Sequence, residues 1–283
     1  MKKNRTRVAI VGASETSSVG YLPNYSMLQL HAEAAQLALA DAGLTFDDVD
    51  GLATAGVTPA QLTEYFNIMP HWIDGTSVGG GSFLMHVSHA VAAIQAGYCN
   101  VVLVTHGESG RSRIGINASS YGPSTIAGQF ELPYGVWGPP SMFSIPIVRH
   151  MHEYGTTEEQ LASVAVATRE WANLNPRAMM RDLISVEDVL NSRLIAWPLH
   201  LLNCCLVTDG GGALVLVSEE IAHEFTKEPI WVLGRGETTT HTNISMMEDM
   251  SKWAAAKQTS ADAFSMAVLT HSDIQHAMLY DAF

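Results

Sequence analysis

The residues able to do chemistry fall in a few places. Gly79, Gly80, Gly81 and Ser82 lie between an expected strand at 72–78 and a mostly apolar stretch at 83–96 that Gly97 closes. That order of strand, turn and helix sets a helix N-terminus at the glycines. Such a terminus presents unpaired backbone N–H groups and about half a positive charge, which favour anions and thiolates. Glycines also let a ligand approach the main chain closely. The same run reads as a tight turn packed into the core, and spacing alone leaves both readings open. Ser77 and Ser82 add hydroxyls, but a serine nucleophile needs a positioned base, so turn or cap roles suit them better.

Other reactive types offer less. His86 and His89 stand at i and i+3, a spacing that could set both on one metal, but no carboxylate or third ligand accompanies them locally. They are expected to be core or interface histidines, and no metal site is expected. Cys99, Cys204 and Cys205 make neither a disulfide framework nor a zinc ribbon, and the adjacent pair reads as buried thiols ahead of an apolar strand. Asp209 and the three glycines after it read as a structural turn. The Gly12 to Gly20 loop lacks the Gly-x-Gly-x-x-Gly spacing, and Asp41 falls at a helix end, which argues against a nicotinamide cofactor. His150, His152 and Glu153 beside Tyr154 fit the mouth of a site or a solvated face equally well. Met246, Met247 and Met250 suit core contacts on a helix face better than contacts with a greasy substrate.

The elements that must position these groups alternate. Strands are expected at Arg7–Ala13, Val49–Ala55, Trp72–Val78, Asn100–Thr105, Gly212–Ser218, Pro229–Leu233 and Ala277–Phe283. Helices are expected at 26–42, 59–66, 83–96, 157–173, 185–192, 219–225 and 261–269. Strand runs such as NVVLVT (100–105) do not alternate, so both faces must be covered, as in a layered α/β sheet. Ser185 with Asp188 forms a capping box, and acidic residues open the 157–173 helix. Residues 107–198 read as an insertion between core strands, irregular over 107–148. A core strand at the extreme C-terminus suggests a fold that continues in residues this chain does not contain.

Composition narrows the classes. The chain has 283 residues, 47% apolar and 15% charged, with a formal charge of −13. That excludes a disordered chain, and a surface so negative repels phosphate backbones, so nucleic-acid binding is not expected. The basic start MKKNRTR precedes an apolar run too short for a signal peptide, and no run approaches a membrane span. A soluble cytoplasmic protein is expected.

The run GTSVGGGSFLMHVSHAVAAIQAGYCNVVLV (75–104) resembles the nucleophile-helix segment of the thiolase superfamily, closest to the sterol-carrier-protein-X or lipid-transfer branch. EYGTTEEQLASVAVATREWANLNPRA (153–178), LNCCLVTDGGGALVLVS (202–218) and LYDAF (279–283) point the same way. The resemblance implies a layered αβαβα thiolase-like fold. Its N-terminal half, with the insertion, would cover 1–225, and its second half would start at 226 and stop short at 283.

Set in the family's register from Ala93-Ile94 to Gly97, the nucleophilic cysteine falls at Gly80. Where that branch carries His-Asp-Cys-Phe, this chain has Tyr280-Asp281-Ala282-Phe283. The resemblance therefore implies a cysteine-less, steroid side-chain aldolase type. Tyr280 would be catalytic, with Gly80, Gly81 and Ser82 holding the thioester oxygen of an acyl-CoA substrate. A homodimer and a small zinc-ribbon and OB-fold partner are also implied, with no cofactor beyond the coenzyme A of the substrate. The family's remaining His and Cys motifs lie beyond Phe283. Two alternatives stand beside the lyase: a thiolytic acyltransferase and an inert CoA-binding scaffold subunit.

Overall fold

The computed structural model describes residues 6–114, 122–225, 228–280 and 283. In chain order the first elements are β1 (Val8–Glu15), α1 (Met27–Ala42), β2 (Gly51–Thr54), α2 (Pro59–Phe66), β3 (Trp72–Asp74), α3 (Ser82–Ala96) and β4 (Val101–Ser109). The insertion holds α4 (Ile126–Phe130), α5 (Pro139–Tyr154), α6 (Glu158–Leu174), α7 (Val186–Asn191), β5 (Leu194–Ala196) and β6 (Leu199–His200). Then come β7 (Asp209–Ser218), α8 (Glu219–Ala222), β8 (Ile230–Trp231) and α9 (Ala254–Ala267). Two compact units result. The first is Met1–Ile116 with Val207–Glu237 and Ser260–Leu269; the second is Asn117–Leu206 with Thr238–Thr259 and Thr270–Phe283.

The first unit is built on a six-stranded sheet in the order β3-β2-β4-β7-β1-β8. β2 runs parallel to β3 and β4, whereas β7 is antiparallel to both β4 and β1. The expected double cover is present. Ala34, Ala35, Ala38 and Leu39 of α1 pack with Ala9, Val11, Leu52, Leu103 and Val215 on one face. On the other, Ala90, Val91, Ala93 and Ile94 of α3 pack with Ala53, Val102, Val104 and Leu216. Continuous apolar strands therefore bury both sides, as layered sheets require.

The fit of α1 is close. A Cβ on Gly12 would lie 2.3 Å from the Ala38 carbonyl oxygen, and one on Gly107 would lie 2.7 Å from the His31 backbone nitrogen. Only hydrogen at those Cα atoms lets the helix rest on β1 and β4. Asp41 ties the same contact together, its carboxylate accepting the Ala13 N–H at 3.1 Å.

Two buried polar groups fix this core. Asp209 is buried, and its carboxylate accepts the amides of Leu22 (2.7 Å), Arg111 (2.8 Å) and Ser112 (2.9 Å). Burial pushes its pKa up, but the amides of Ser112, Leu22 and Arg111 outweigh that and hold it below the usual carboxylate range. This supports the structural reading, although the glycines after it lie within β7 rather than in a turn. His31 of α1 pairs through Nδ1 with Thr105 Oγ1 at 2.7 Å. Burial first, and His106 second, lower its pKa to about 3.

The second unit is mostly helical. α7 opens on the expected capping box of Ser185 with Asp188, and α6 carries the expected acidic first turn, Glu158 and Glu159, behind a further box of Thr157 with Gln160. Buried Glu131 accepts the N–H and hydroxyl of Ser245 at 3.0 and 2.9 Å, and Phe143 lies against Phe283 at 5.0 Å. No helix among the described residues is long and apolar enough to cross a membrane.

Several expectations need correction. Residues 277–280 are irregular rather than a strand. A strand exists only through its ladder, and no described segment pairs with them. The irregular reading of 107–148 missed α5, whose Pro139 sits in the first turn, where a missing N–H costs nothing, while Pro146 lies inside. β3 ends at Asp74, short of Val78, because the following residues turn toward α3. α9 begins seven residues before the expected start at Ala261. Cys205 is exposed and Cys204 only half-buried, since β7 does not begin until Asp209.

Two outcomes follow for stability. Asp209→Ala leaves three amides without their acceptor and should lower the unfolding free energy by about 2–4 kcal/mol in urea titrations. The native state keeps His31 unprotonated while the unfolded chain protonates it near pH 6.5, so stability should fall as pH drops from about 6.5 toward 3. Urea midpoints across that range should show a slope of up to ~1.4 kcal/mol per pH unit for this one proton, which His31→Gln removes.

Candidate active site

The β3–α3 connection presents the glycines as the sequence predicts. Gly79, Gly80 and Gly81 are exposed, and a Cβ on Gly80 or Gly81 would meet nothing within 4 Å. Gly80 is therefore an open position at the tip of a 15-residue helix, not a place where packing demands glycine. Ser82 is different. Its side chain is buried, with Oγ accepting the Val78 N–H at 2.9 Å and donating to the Gly79 carbonyl at 2.6 Å. Its own N–H reaches Gly79 O at 3.0 Å. Ser82 closes the turn, as its turn reading implies, although the N-cap of α3 is Gly81, and Gly80 and Gly81 form the exposed part.

The two histidines of α3 have opposite environments. His86 is buried, and its Nε2–H donates to Thr76 O at 2.9 Å. Nδ1 of His86 accepts no hydrogen bond from the described residues, and burial lowers its pKa, so the ring is neutral. His89 meets two carboxylates, with Nδ1 2.5 Å from Asp74 Oδ2 and Nε2 3.2 Å from Glu237 Oε1. An ionised carboxylate only accepts, so the arrangement suits the doubly protonated ring, which can donate to both. Burial opposes that charge, but Asp74 and Glu237 outweigh it and raise the pKa. No carboxylate accompanies these histidines locally, as the spacing indicates, but two reach His89 from distant parts of the chain. Asp74 comes from the end of β3 and Glu237 from 148 residues further along the chain, so neither is visible in the local spacing. Among the described residues, no group of three or more His, Cys, Asp or Glu could hold a metal ion.

Further rings gather near this helix start. Phe83 lies tilted against His106 with ring centroids 4.0 Å apart and meets His86 edge-on at 5.8 Å, and His31 meets His106 edge-on at 6.2 Å. His31 Nε2 and His106 Nδ1 are buried without a hydrogen-bond partner among the described residues. Sequence reading missed His31 and His106 because each sits alone in an apolar stretch. A cavity of about 480 Å³ lies beside α3, lined by Ser88, Arg235, Glu237 and Asp262 among others. Ser88 stands six residues beyond Ser82, about 9 Å along the helix axis, so this cavity is not the opening at Gly80.

Of the predicted site residues, Gly80, Gly81 and Ser82 are consecutive in the first unit and Tyr280 belongs to the second. Tyr280 is 84% exposed. Cys99, by contrast, is buried, and burial followed by the nearby Asp50 carboxylate pushes its thiol up to about 12. It is no substitute nucleophile.

Known proteins share this architecture. Residues 236–283 match the family described as thiolase C-terminal domain-like. The steroid side-chain-cleaving aldolase of Thermomonospora curvata is 33% identical over 98% of this chain and 74% of its own length. The acetyl-CoA acetyltransferase of Methanothermobacter thermautotrophicus is 30% identical over 98% of this chain and 74% of its own. The solved Ltp2-ChsH2(DUF35) aldolase has a TM-score of 0.89 at 32% identity, covering 98% of this chain and 74% of that one. With relatives this similar along nearly its whole length, the chain has a thiolase-like fold and belongs to the thiolase superfamily, in the sterol-carrier-protein-X-like branch.

Proposed function

We propose that this thiolase-like acyl-CoA enzyme cleaves a C–C bond of a 3-hydroxyacyl-CoA by a retro-aldol reaction, without an acyl-enzyme. The observation that carries the reading is Gly80, which stands open and without a side chain at the tip of α3; the resemblance to thiolases sets this position against their nucleophilic sulfur. Glycine cannot form a thioester, so ping-pong chemistry has no covalent intermediate there. Retro-aldol cleavage needs none. A base takes the 3-hydroxyl proton, the C2–C3 bond breaks, and a ketone or aldehyde leaves. The electron pair passes to a thioester enolate, which takes a proton at C2 to give the shortened acyl-CoA.

Backbone donors of the Gly80–Ser82 turn would stabilise the developing charge on the thioester oxygen, with Gly80 and Gly81 as the accessible members. The room above Gly80 would hold a bulky departing carbonyl product. Tyr280 would move the hydroxyl proton. A phenol near pKa 10 is a weak base at neutral pH, so it would act as a hydrogen-bonded relay or beside groups that lower its pKa. The names of the similar aldolases favour a steroid or lipid side chain as substrate, and the paired name Ltp2-ChsH2(DUF35) favours a small partner of the zinc-ribbon and OB-fold kind. A cytoplasmic homodimer completes the reading. A thiolytic acyltransferase is the second reading, favoured by the similar acetyl-CoA acetyltransferase.

Three measurements test this. With a bulky 3-hydroxyacyl-CoA, and with the small partner added, the protein should release a ketone or aldehyde and show no mass gain. An acyl adduct in intact-mass spectra during turnover would favour the acyltransferase instead. Tyr280→Phe should lower kcat by about 100-fold or more, the scale of a lost proton-transfer group, while the circular dichroism spectrum stays unchanged. Gly80→Cys should fold normally, since its Cβ meets open space, and should become acylated by a short acyl-CoA where the wild type does not. Absence of acylation would remove Gly80 from the thioester site.

A further inference from the structure

The connection from β3 to α3 is held at both ends. Asp74, the last residue of β3, accepts the Thr76 N–H at 2.9 Å and the Thr76 hydroxyl at 2.7 Å through Oδ1, while Oδ2 takes the His89 Nδ1–H at 2.5 Å. Thr76 O in turn receives the His86 Nε2–H at 2.9 Å. Asp74, Thr76 and two histidines one helical turn apart are thus joined by hydrogen bonds into a loop that the α3 backbone completes. Further along, Ser82 secures Val78 and Gly79. Gly80 and Gly81 stand beyond these fastenings.

His89 also faces the other way. Its Nε2–H reaches Glu237 at 3.2 Å, and one residue along the helix Arg235 donates through Nη1 to Ser88 O at 3.1 Å and Ser88 Oγ at 3.2 Å. The charged and titratable groups around His89 are Asp74 from β3, Glu237 and Arg235 from the segment after β8, and His86 from α3. Asp262 of α9 lines the cavity shared with Ser88 and Glu237.

We infer that His89 is a positioning residue: as an imidazolium held between Asp74 and Glu237 it fixes the Thr76–Gly81 turn for thioester binding, and its deprotonation releases the turn. This rests on the reading of Gly80–Ser82 as the thioester site. The direction follows from charge and geometry, because the neutral ring no longer attracts the Asp74 carboxylate as an ion and, with one proton, donates to only one of the two acids. The pKa of His89 is raised, so the clamp is complete below about pH 6.5 and is lost as pH rises through the raised value. Neutral His86 does not titrate in that range and keeps its bond to Thr76, which makes the release partial: the turn loosens without melting.

The test has one arm in the free protein and one in catalysis. In ¹⁵N-labelled protein, the Gly79, Gly80 and Gly81 amide resonances should shift with pH along the titration curve of the His89 ring, read from its ¹³C-labelled imidazole. In His89→Gln they should be flat. In Asp74→Asn, which keeps an acceptor for Thr76 but loses the charge, the His89 titration should move to lower pH and the glycine shifts should move with it. In the assay, His89→Gln should raise KM about fivefold at pH 6.5, the effect of roughly one hydrogen bond, with kcat within twofold and with the alkaline rise of KM abolished. Glycine amides that ignore the His89 titration would overturn the inference even in an active enzyme. Amides that follow it in a protein with no lyase activity would keep the clamp and discard the assigned reaction.

Discussion

Everything in the first unit depends on α3 being fixed while its tip stays bare. The helix is fixed by burial: Ala90, Val91, Ala93 and Ile94 leave water against Ala53, Val102, Val104 and Leu216. Fully burying side chains of this size contributes of the order of 1–3 kcal/mol each, which is ample to hold one helix orientation. The same face carries polar residues, and they are tied down: Ser82 to its own turn, His86 to Thr76, and Ser88 to Arg235. A rigid helix with a glycine at its tip is a means of presenting main-chain donors without a reactive atom.

Electrostatics sharpen the picture. His86 and His89 lie three residues apart and hold different protonation states because their partners differ. His86 meets one carbonyl and no charge-balancing acceptor, and burial keeps it neutral. His89 sits between two carboxylates that together outweigh its partial burial. His31 and His106 follow the first pattern, with burial lowering both. The core therefore tolerates several imidazoles by leaving them uncharged, whereas His89, whose pKa is raised, stands where two acids converge.

The layered α/β class, the strand–turn–helix at the glycines and most of the helices were legible in the sequence, because continuous apolar strands and 3.6-residue periodicity report burial directly. Ser185 with Asp188 shows how far local rules reach: the capping box appears where the spacing puts it. What escaped was long-range or context-bound. Glu237 meets His89 across 148 residues, and no spacing rule connects them. α5 was hidden by its prolines, although Pro139 opens a helix comfortably. The apolar Ala277–Leu279 segment looked like a strand, but extended structure depends on a neighbour that periodicity does not supply. The opening above Gly80 was likewise not a property of the letters, since glycines serve crowded contacts and vacant ones alike. Gly12 is the crowded case in the same chain.

The antiparallel placement of β7 sets an order of assembly. β1 leaves the ribosome first, yet its partner in the sheet lies about 200 residues downstream, with Val8 opposite Ser218. At ~5–20 residues per second, that partner is made on the order of ten to forty seconds later. β2, α3 and β4 are close in the chain and can dock meanwhile, because short loops close at lower entropic cost than long ones. Until β7 arrives, β1 and β4 have an empty slot between them, and the nascent sheet exposes two unsatisfied edges. The strand that joins the two halves of the sheet is thus among the late ones to be made, followed only by the short β8 at the β1 edge, and the growing polypeptide is most vulnerable to pairing with a neighbour during that wait.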